Sequence, residues 1–335
     1  MHKAHAALEI ETATAFTAFR QVADLWESPA RTEGEALHIA LPTGTVTVLP
    51  GTGSGTALQV ECPDAGALQG LRDTLDEIMS HHGVTRRWEG TGAGQRPANL
   101  ALGTVVSVTR ISPSFTRVVV EGAELARLAD GGLHFRILFG PEGADWPALD
   151  EGGVTRWPGG AGAWHRPVYT VREIETEGAA ARLSFDVFRH DGGRTTEWTD
   201  RVQPGEQVAL TGPGGHGIPE PTGWIGLVGD ETAVPAIARI LAALPKGARG
   251  ETILFVPESG DMADLPRPSG VSLRWIGRDE GVTPLQAMQG VAIPEGDRHV
   301  LFAGEKSEAL AARAWLQEQG LTRGEFLAAT YWIRD

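Results

Sequence analysis

Tyr169-Thr170-Val171-Arg172 puts an aromatic ring, a hydroxyl and a guanidinium on one short strand, directly after a loop rich in glycine, proline and tryptophan. A flavin needs that mixture. Its ring system takes an apolar or aromatic face, its ribityl and diphosphate groups take hydroxyls and arginine, and a strand edge offers backbone groups to the pyrimidine end. An ordinary barrel strand with one exposed arginine reads the same way, and the tetrapeptide alone does not separate the two.

In His190-Asp191-Gly192-Gly193-Arg194-Thr195-Thr196-Glu197-Trp198 a strand ends, two glycines permit a tight turn and a short helix begins. Free N–H groups, the helix dipole and two threonine hydroxyls converge there, which suits a diphosphate; a hairpin turn with an N-cap is the alternative. A third segment, Gly229-Asp230-Glu231-Thr232-Ala233-Val234-Pro235-Ala236, joins a strand to a helix at the ligand-facing edge of an α/β sheet. Asp230 and Glu231 repel a diphosphate, so this is no ordinary pyrophosphate cradle.

The elements that must position these residues fall into three stretches. Residues 1–90 read as a small α+β domain: a strand at Ala7-Leu8-Glu9-Ile10, a helix from Thr14 to Trp26, three short strands, and a helix capped by Asp64 and stopped by Gly83, with Leu68, Leu71, Leu75, Ile78 and Met79 at helical spacing. Residues 86–99 concentrate glycine and polar residues and read as a linker. From 98 to 218, alternating strands at 104–108, 117–120, 134–139, 183–188 and 207–210 predict an antiparallel β-barrel. From 222 to 335, strands alternating with helices predict an α/β domain with a mostly parallel sheet.

Composition narrows the chemistry. With 335 residues, 41% hydrophobic and 21% charged, the chain can bury two or three cores and reads as a soluble multidomain protein. Its start lacks the apolar run of a signal peptide and no stretch could span a bilayer, which predicts a cytoplasmic protein with no membrane partner. The single cysteine, Cys62, rules out a self-contained iron–sulfur cluster or cysteine-built zinc site. His81, His82 and His165 lack the partner set of a metal site, so redox work would fall to an organic cofactor. The net charge of -14, from 29 basic and 43 acidic residues, opposes nucleic acid, and an anionic substrate would need a local basic pocket.

Taken in order, Tyr169-Thr170-Val171-Arg172, Asp186-Val187-Phe188-Arg189-His190 with Gly192, Gly193 and Trp198, Gly212-Pro213-Gly214-Gly215, Gly229 to Ile237 and the terminal Tyr331-Trp332-Ile333-Arg334 resemble the siderophore-interacting protein family from about residue 100 to the end. The loop from Glu142 to His165 resembles that family's loop before the flavin strand, and residues 1 to about 90 resemble a small bacterial domain of unknown function that accompanies it.

The resemblance implies a ferredoxin-reductase-like antiparallel β-barrel that binds FAD, followed by an α/β domain of the NAD(P)H-binding type, and flavin-dependent reduction of ferric siderophores. It implies that Tyr169 and Thr170 contact the flavin and ribityl chain, and Val171 and Arg172 the ring edge or diphosphate. Gly192, Gly193, Thr195 and Thr196 would cradle the diphosphate, with Val187 and His190 beside that turn. Asp230, Thr232 and Ala233 would lie at the domain crevice, and Trp332 is a candidate shield for the flavin. Arg323 and Arg334, with Arg166 and Arg172, are candidates for steering an anionic iron complex. The wider flavin-reductase pattern carries arginine two residues before the tyrosine; here that slot is Pro167 and the arginine is Arg166, with Arg172 or Arg194 as substitutes.

Ferric iron binds hard oxygen ligands far more tightly than ferrous iron does, so one electron loosens the cage, and no protein general base is required. NADPH, NADH and a ferredoxin stay open as donors. Two rivals remain: a reductase of free flavins or other acceptors, and a siderophore-binding protein without catalysis.

Overall fold

A computed structural model describes residues 1–26, 28–53, 55–90 and 92–334. The chain opens with β1 (His2–Leu8), α1 (Thr12–Leu25), β2 (Ala30–Glu33), β3 (Ala36–Leu41), β4 (Gly44–Pro50), β5 (Thr56–Cys62), α2 (Ala65–His81) and β6 (Arg86–Glu89), a six-stranded sheet in the order β2-β3-β4-β5-β1-β6. Four strands, not three, separate the helices, and the first strand ends at Leu8 instead of beginning at Ala7. Strict alternation drives β5: Thr56, Leu58, Val60 and Cys62 point into the core, and burial pushes the Cys62 thiol up to about 11. Helix α2 starts where the Asp64 carboxylate accepts the Ala67 N–H at 2.8 Å, and Leu68, Leu71, Leu75 and Met79 form its buried stripe.

The expected linker is shorter than its composition suggests, because Arg86–Glu89 pairs with β1. Arg86 reaches both oxygens of Asp76 on α2 at 2.8 and 2.9 Å, and Trp88 is buried in the same core.

Next come β7 (Leu100–Arg110), β8 (Phe115–Gly122), β9 (His134–Leu138), a small hairpin of β10 (Ala148–Leu149) and β11 (Thr155–Arg156), β12 (Val168–Thr170), β13 (Glu173–Glu177), β14 (Ala180–Phe188), α3 (Arg194–Arg201) and β15 (Gln207–Gly214). The run β7-β8-β14-β13 is antiparallel, with Val118, Val120, Leu183, Phe185 and Val187 wholly buried along its inner face.

The last stretch contains β16 (Trp224–Gly229), α4 (Val234–Ala243), β17 (Arg249–Val256), β18 (Gly270–Gly277), α5 (Pro284–Gln289), β19 (Arg298–Glu305), α6 (Lys306–Glu318) and β20 (Phe326–Trp332). Its sheet runs β18-β17-β16-β19-β20 with every neighbour parallel, and buried apolar residues cover both faces. The strand order reverses between β16 and β19, so the crevice for a ligand opens at their carboxyl ends, beside Gly229 and Gly304.

By compactness the described residues form two units. One comprises Met1–Leu102, Arg136–Pro167 and Ala209–Pro213; the other comprises Gly103–Phe135, Val168–Val208 and the segment from Gly214 onward. No helix among the described residues is long and apolar enough to cross a membrane.

Candidate functional site

The second unit contains a cavity of about 370 Å³. Strand β12 contributes Tyr169 and Thr170, the end of β14 contributes Phe188 and the turn after it His190, the β16–α4 loop contributes Glu231 and Thr232, and β20 contributes Thr330 and Tyr331. Of the residues expected at a site, Tyr169, Thr170, His190 and Thr232 therefore meet around one space.

Tyr169 packs its ring 5.5 Å from Phe185 and hydrogen-bonds Thr195 through its hydroxyl, so the flavin-type strand and the glycine turn are already joined. Thr170 is buried, its Oγ1 3.2 Å from His134 Nδ1. His134 Nε2 lies 3.2 Å from the Tyr331 hydroxyl, with the two rings edge-on at 84°. Burial first, then the charges of Arg239 and His216, pull the His134 imidazole down to about 4. Burial, and secondly Asp230, raise the Tyr331 phenol. A protonated phenol beside a neutral imidazole donates into Nε2, which leaves the ring proton on Nδ1, toward Thr170. Gly215 is required behind this ring: its φ is +73°, and a Cβ there would lie 2.5 Å from His134 Cδ2.

The glycine turn is built as a cradle. Gly193 is the N-cap of α3 and caps it with no side chain, which leaves amides of the first turn available. A Cβ at Gly193 would come within 2.8 Å of the His190 ring and 3.0 Å of Thr196 Oγ1. Thr196 Oγ1 accepts the His190 N–H at 3.3 Å, while Thr195 and Trp198 are buried beneath the turn. Aromatic faces, a hydroxyl and an open helix N-terminus fit a flavin dinucleotide.

Other expected residues sit elsewhere. Val171 and Val187 are wholly buried in the core. Arg172 is mostly buried, 3.7 Å from Glu173 and within the field of the Asp186 carboxylate that Arg117 grips at 2.7 and 2.8 Å. Asp230 is wholly buried and accepts from Thr232 N at 2.9 Å, Thr232 Oγ1 at 2.5 Å and Trp332 Nε1 at 2.6 Å. Ala233 donates its N–H to the Asp230 carbonyl at 3.0 Å. Arg278 bonds Glu231 at 2.6 Å, although burial and the neighbouring Asp230 push the Glu231 carboxyl above its usual range. The β16–α4 loop thus satisfies its own donors with its own carboxylates. Trp332 is tied to Asp230 and covered by Arg334 at 5.6 Å; its neighbour Tyr331 faces the cavity. Arg323 and Arg334 are exposed. Arg166 belongs to the first unit, with its guanidinium 4.7 Å above the Trp157 ring.

Sequence reasoning gave His134 no part in the site, and it quoted Phe188, Glu231 and Tyr331 within motifs without placing them at the cavity. His134 opens the strand segment His134-Phe135-Arg136-Ile137-Leu138 and carries no local signal, and Tyr331 stood beside the tryptophan that drew attention.

The family Siderophore-interacting protein is matched over residues 222–335, and the Siderophore-interacting FAD-binding domain over residues 104–217. The chain is 30% identical over 238 residues to the ferric vibriobactin reductase ViuB of Vibrio cholerae, covering 67% of this chain and 86% of that protein. It is 28% identical over 240 residues to the NADPH-dependent ferric-chelate reductase of Escherichia coli, covering 68% and 91%. A siderophore utilization protein from T. fusca superposes with a TM-score of 0.61 at 28% identity, covering 70% of this chain and 93% of that one. The fold after residue 100 is ferredoxin-reductase-like, an antiparallel FAD-domain sheet followed by a parallel α/β sheet.

Proposed function

Because the chain belongs to the siderophore-interacting protein family, we propose that it is an FAD-dependent oxidoreductase that reduces ferric siderophores and so releases ferrous iron. The observation that carries this reading is the meeting of Tyr169, Thr170 and His190 around one cavity, with the uncapped turn of α3 tied to it by the Tyr169–Thr195 hydrogen bond, inside the stretch matched by the FAD-binding domain.

In this reading residues 98–218 form the FAD-binding barrel, residues 222–335 the NAD(P)H-binding-like domain, and residues 1–90 a small accessory domain. Bound FAD would supply the exchange between a two-electron donor and a one-electron acceptor. The chain's own part is to hold and to shield. Gly192, Gly193 and the first amides of α3 receive the diphosphate, helped by Thr195 and Thr196. Tyr169 gives an aromatic face, and Thr170, held by His134, gives a hydroxyl to the cavity. Tyr331 and Phe188 close apolar surface around the same space and keep water from it.

The donor is NAD(P)H by relation to the Escherichia coli enzyme, with a ferredoxin as the other candidate. The carboxylate-filled β16–α4 loop argues that a nicotinamide donor does not rest its diphosphate on α4. The substrate is a ferric siderophore, and exposed Arg323 and Arg334 are proposed to attract its negative charge. The first test is reconstitution: the purified chain should take up FAD with loss of free-flavin fluorescence, and a Tyr169→Ala, Thr170→Ala double variant should retain it poorly. Equal retention by the double variant would remove this strand from the site.

A further inference from the structure

We propose that the β1–β6 module is an internal clamp, whose partner is the β10–β11 hairpin of this same chain, and that it thereby orders the tryptophan-rich loop running into β12.

The hairpin cannot hold itself. It has two residues per strand, paired Ala148 with Arg156 and Leu149 with Thr155, and isolated two-stranded ribbons of even greater length are marginal in water. Its support comes from α2. Gln69, Arg72 and Asp73 lie at i, i+3 and i+4, on one helix face. Asp73 accepts the Thr155 N–H at 2.9 Å and its hydroxyl at 2.6 Å. Gln69 Nε2 and Arg72 Nη1 both donate to the Gly153 carbonyl, at 3.0 and 2.9 Å. Gln69 also donates to Asp73 at 2.8 Å, so the three side chains act as one device.

Apolar and backbone contacts complete the grip. Val154 is 4% exposed and packs in the same core as Leu71, Leu75 and Trp88. Leu149 exchanges backbone hydrogen bonds with the segment after β6, donating to Gln95 O and accepting from Gly94 N, both at 2.8 Å. The approach leaves no room for side chains: a Cβ on Gly90 would lie 2.1 Å from the Gly152 carbonyl carbon, and one on Gly153, whose φ is +72°, would lie 2.1 Å from Arg72 Nη1.

The polar residues make this a recognition surface. Gln69 and Arg72 are buried on a helix face, where a charge or amide without a partner is costly, and the hairpin supplies their acceptor. Beyond the hairpin the chain continues through Trp157 and Trp164, which pack edge to face at 5.6 Å, to Arg166 and then to β12. Holding the hairpin shortens the free chain leading to Tyr169 and Thr170, and so lowers the entropy lost when they are ordered.

Hydrogen exchange measured by mass spectrometry on the full chain, beside FAD titration by fluorescence, tests this. Asp73→Ala should speed amide exchange in residues 148–165 about tenfold or more, the effect of losing a charged acceptor. Exchange in β4 and β5 should stay as it is, and FAD affinity should fall several-fold. Lys3→Ala, on the outer face of the module, should change neither. Unchanged exchange in residues 148–165, or a loosened loop with unchanged FAD affinity, would overturn the proposal. Should Asp73→Ala also expose β4 and β5, Thr155→Val, which removes the hydroxyl from outside α2, decides by the same readings. The FAD arm rests on the function proposed above, and a wild-type chain that binds no FAD would contradict that function while the exchange arm still judges the clamp.

Discussion

His134 and Tyr331 stand 197 residues apart in the chain, yet the Tyr331 hydroxyl lies 3.2 Å from His134 Nε2 and the two rings meet edge-on. The pair joins β9 to β20, and the other ring nitrogen faces Thr170. A residue of the flavin-type strand is thus oriented by the last strand of the chain.

The imidazole of this pair should stay neutral down to acid pH. Its folded value of about 4 lies below the ordinary 6.5, so between those values the unfolded chain binds the extra proton. Stability from this site is present above pH 6.5 and is lost as pH falls toward 4. Urea denaturation at a series of pH values should show a shallower loss in His134→Gln than in the unaltered chain over that window. Parallel curves would mean that the imidazole is already free to titrate.

Tyr331→Phe keeps the ring and removes the donor. His134 Nε2 then loses its partner in a mostly buried place, and the expected loss is about 1–2 kcal/mol. The urea midpoint should drop with the slope unchanged, since no surface is newly exposed on unfolding.

At the α3 turn, Gly193→Val should lower FAD affinity at least tenfold, because its branched side chain would displace the His190 ring and Thr196 hydroxyl that shape the cradle. Gly192→Ala tests conformation instead of space, since no atom lies within 4 Å of its Cβ but φ is +71°; about 1 kcal/mol of stability should be lost there, with FAD affinity changed less. Fluorescence titration and denaturation of both variants separate the two effects.

Asp230→Ala should destabilise the second unit by about 2–4 kcal/mol, because Trp332 Nε1 and two donors of Thr232 lose a buried acceptor together. Asp230→Asn, which keeps the shape and one acceptor oxygen, should lose less. Thermal unfolding of the two variants gives the order directly.

Much of this fold is legible in residue order. Helix α2 is marked by its Asp64 cap and its apolar spacing, and β5, β8 and β14 by alternation, because those patterns record burial on one side. Strand β20 is not so marked: Phe326-Leu327-Ala328-Ala329-Thr330-Tyr331-Trp332 has no clean period, and it becomes a strand by adding to β19. Strand β6 hides in a stretch whose arginines and glycines look like a linker, until Arg86 finds Asp76 and Trp88 finds the core. For the cavity, local motifs identify Tyr169, Thr170, His190 and Thr232, each next to a turn or strand end. His134 and Tyr331 escape because what makes them notable is each other, and pairing between distant strands leaves no spacing to read. Arg172 shows the opposite limit: the sequence reveals a guanidinium three residues after the tyrosine, but it follows the end of β12 and is mostly buried beside Glu173 and Asp186, outside the cavity lining.

The most direct test of the account is a visible absorption spectrum of the FAD-loaded chain, taken without oxygen, first with NADPH or NADH and then with a ferric siderophore and a ferrous-iron trap. The account predicts that the flavin bands bleach with donor and return as trapped ferrous iron appears. Bleaching by a reduced ferredoxin alone would change only the donor. A chain that stays colourless after incubation with FAD, or a bleached flavin that never yields ferrous iron from the chelate, would contradict it.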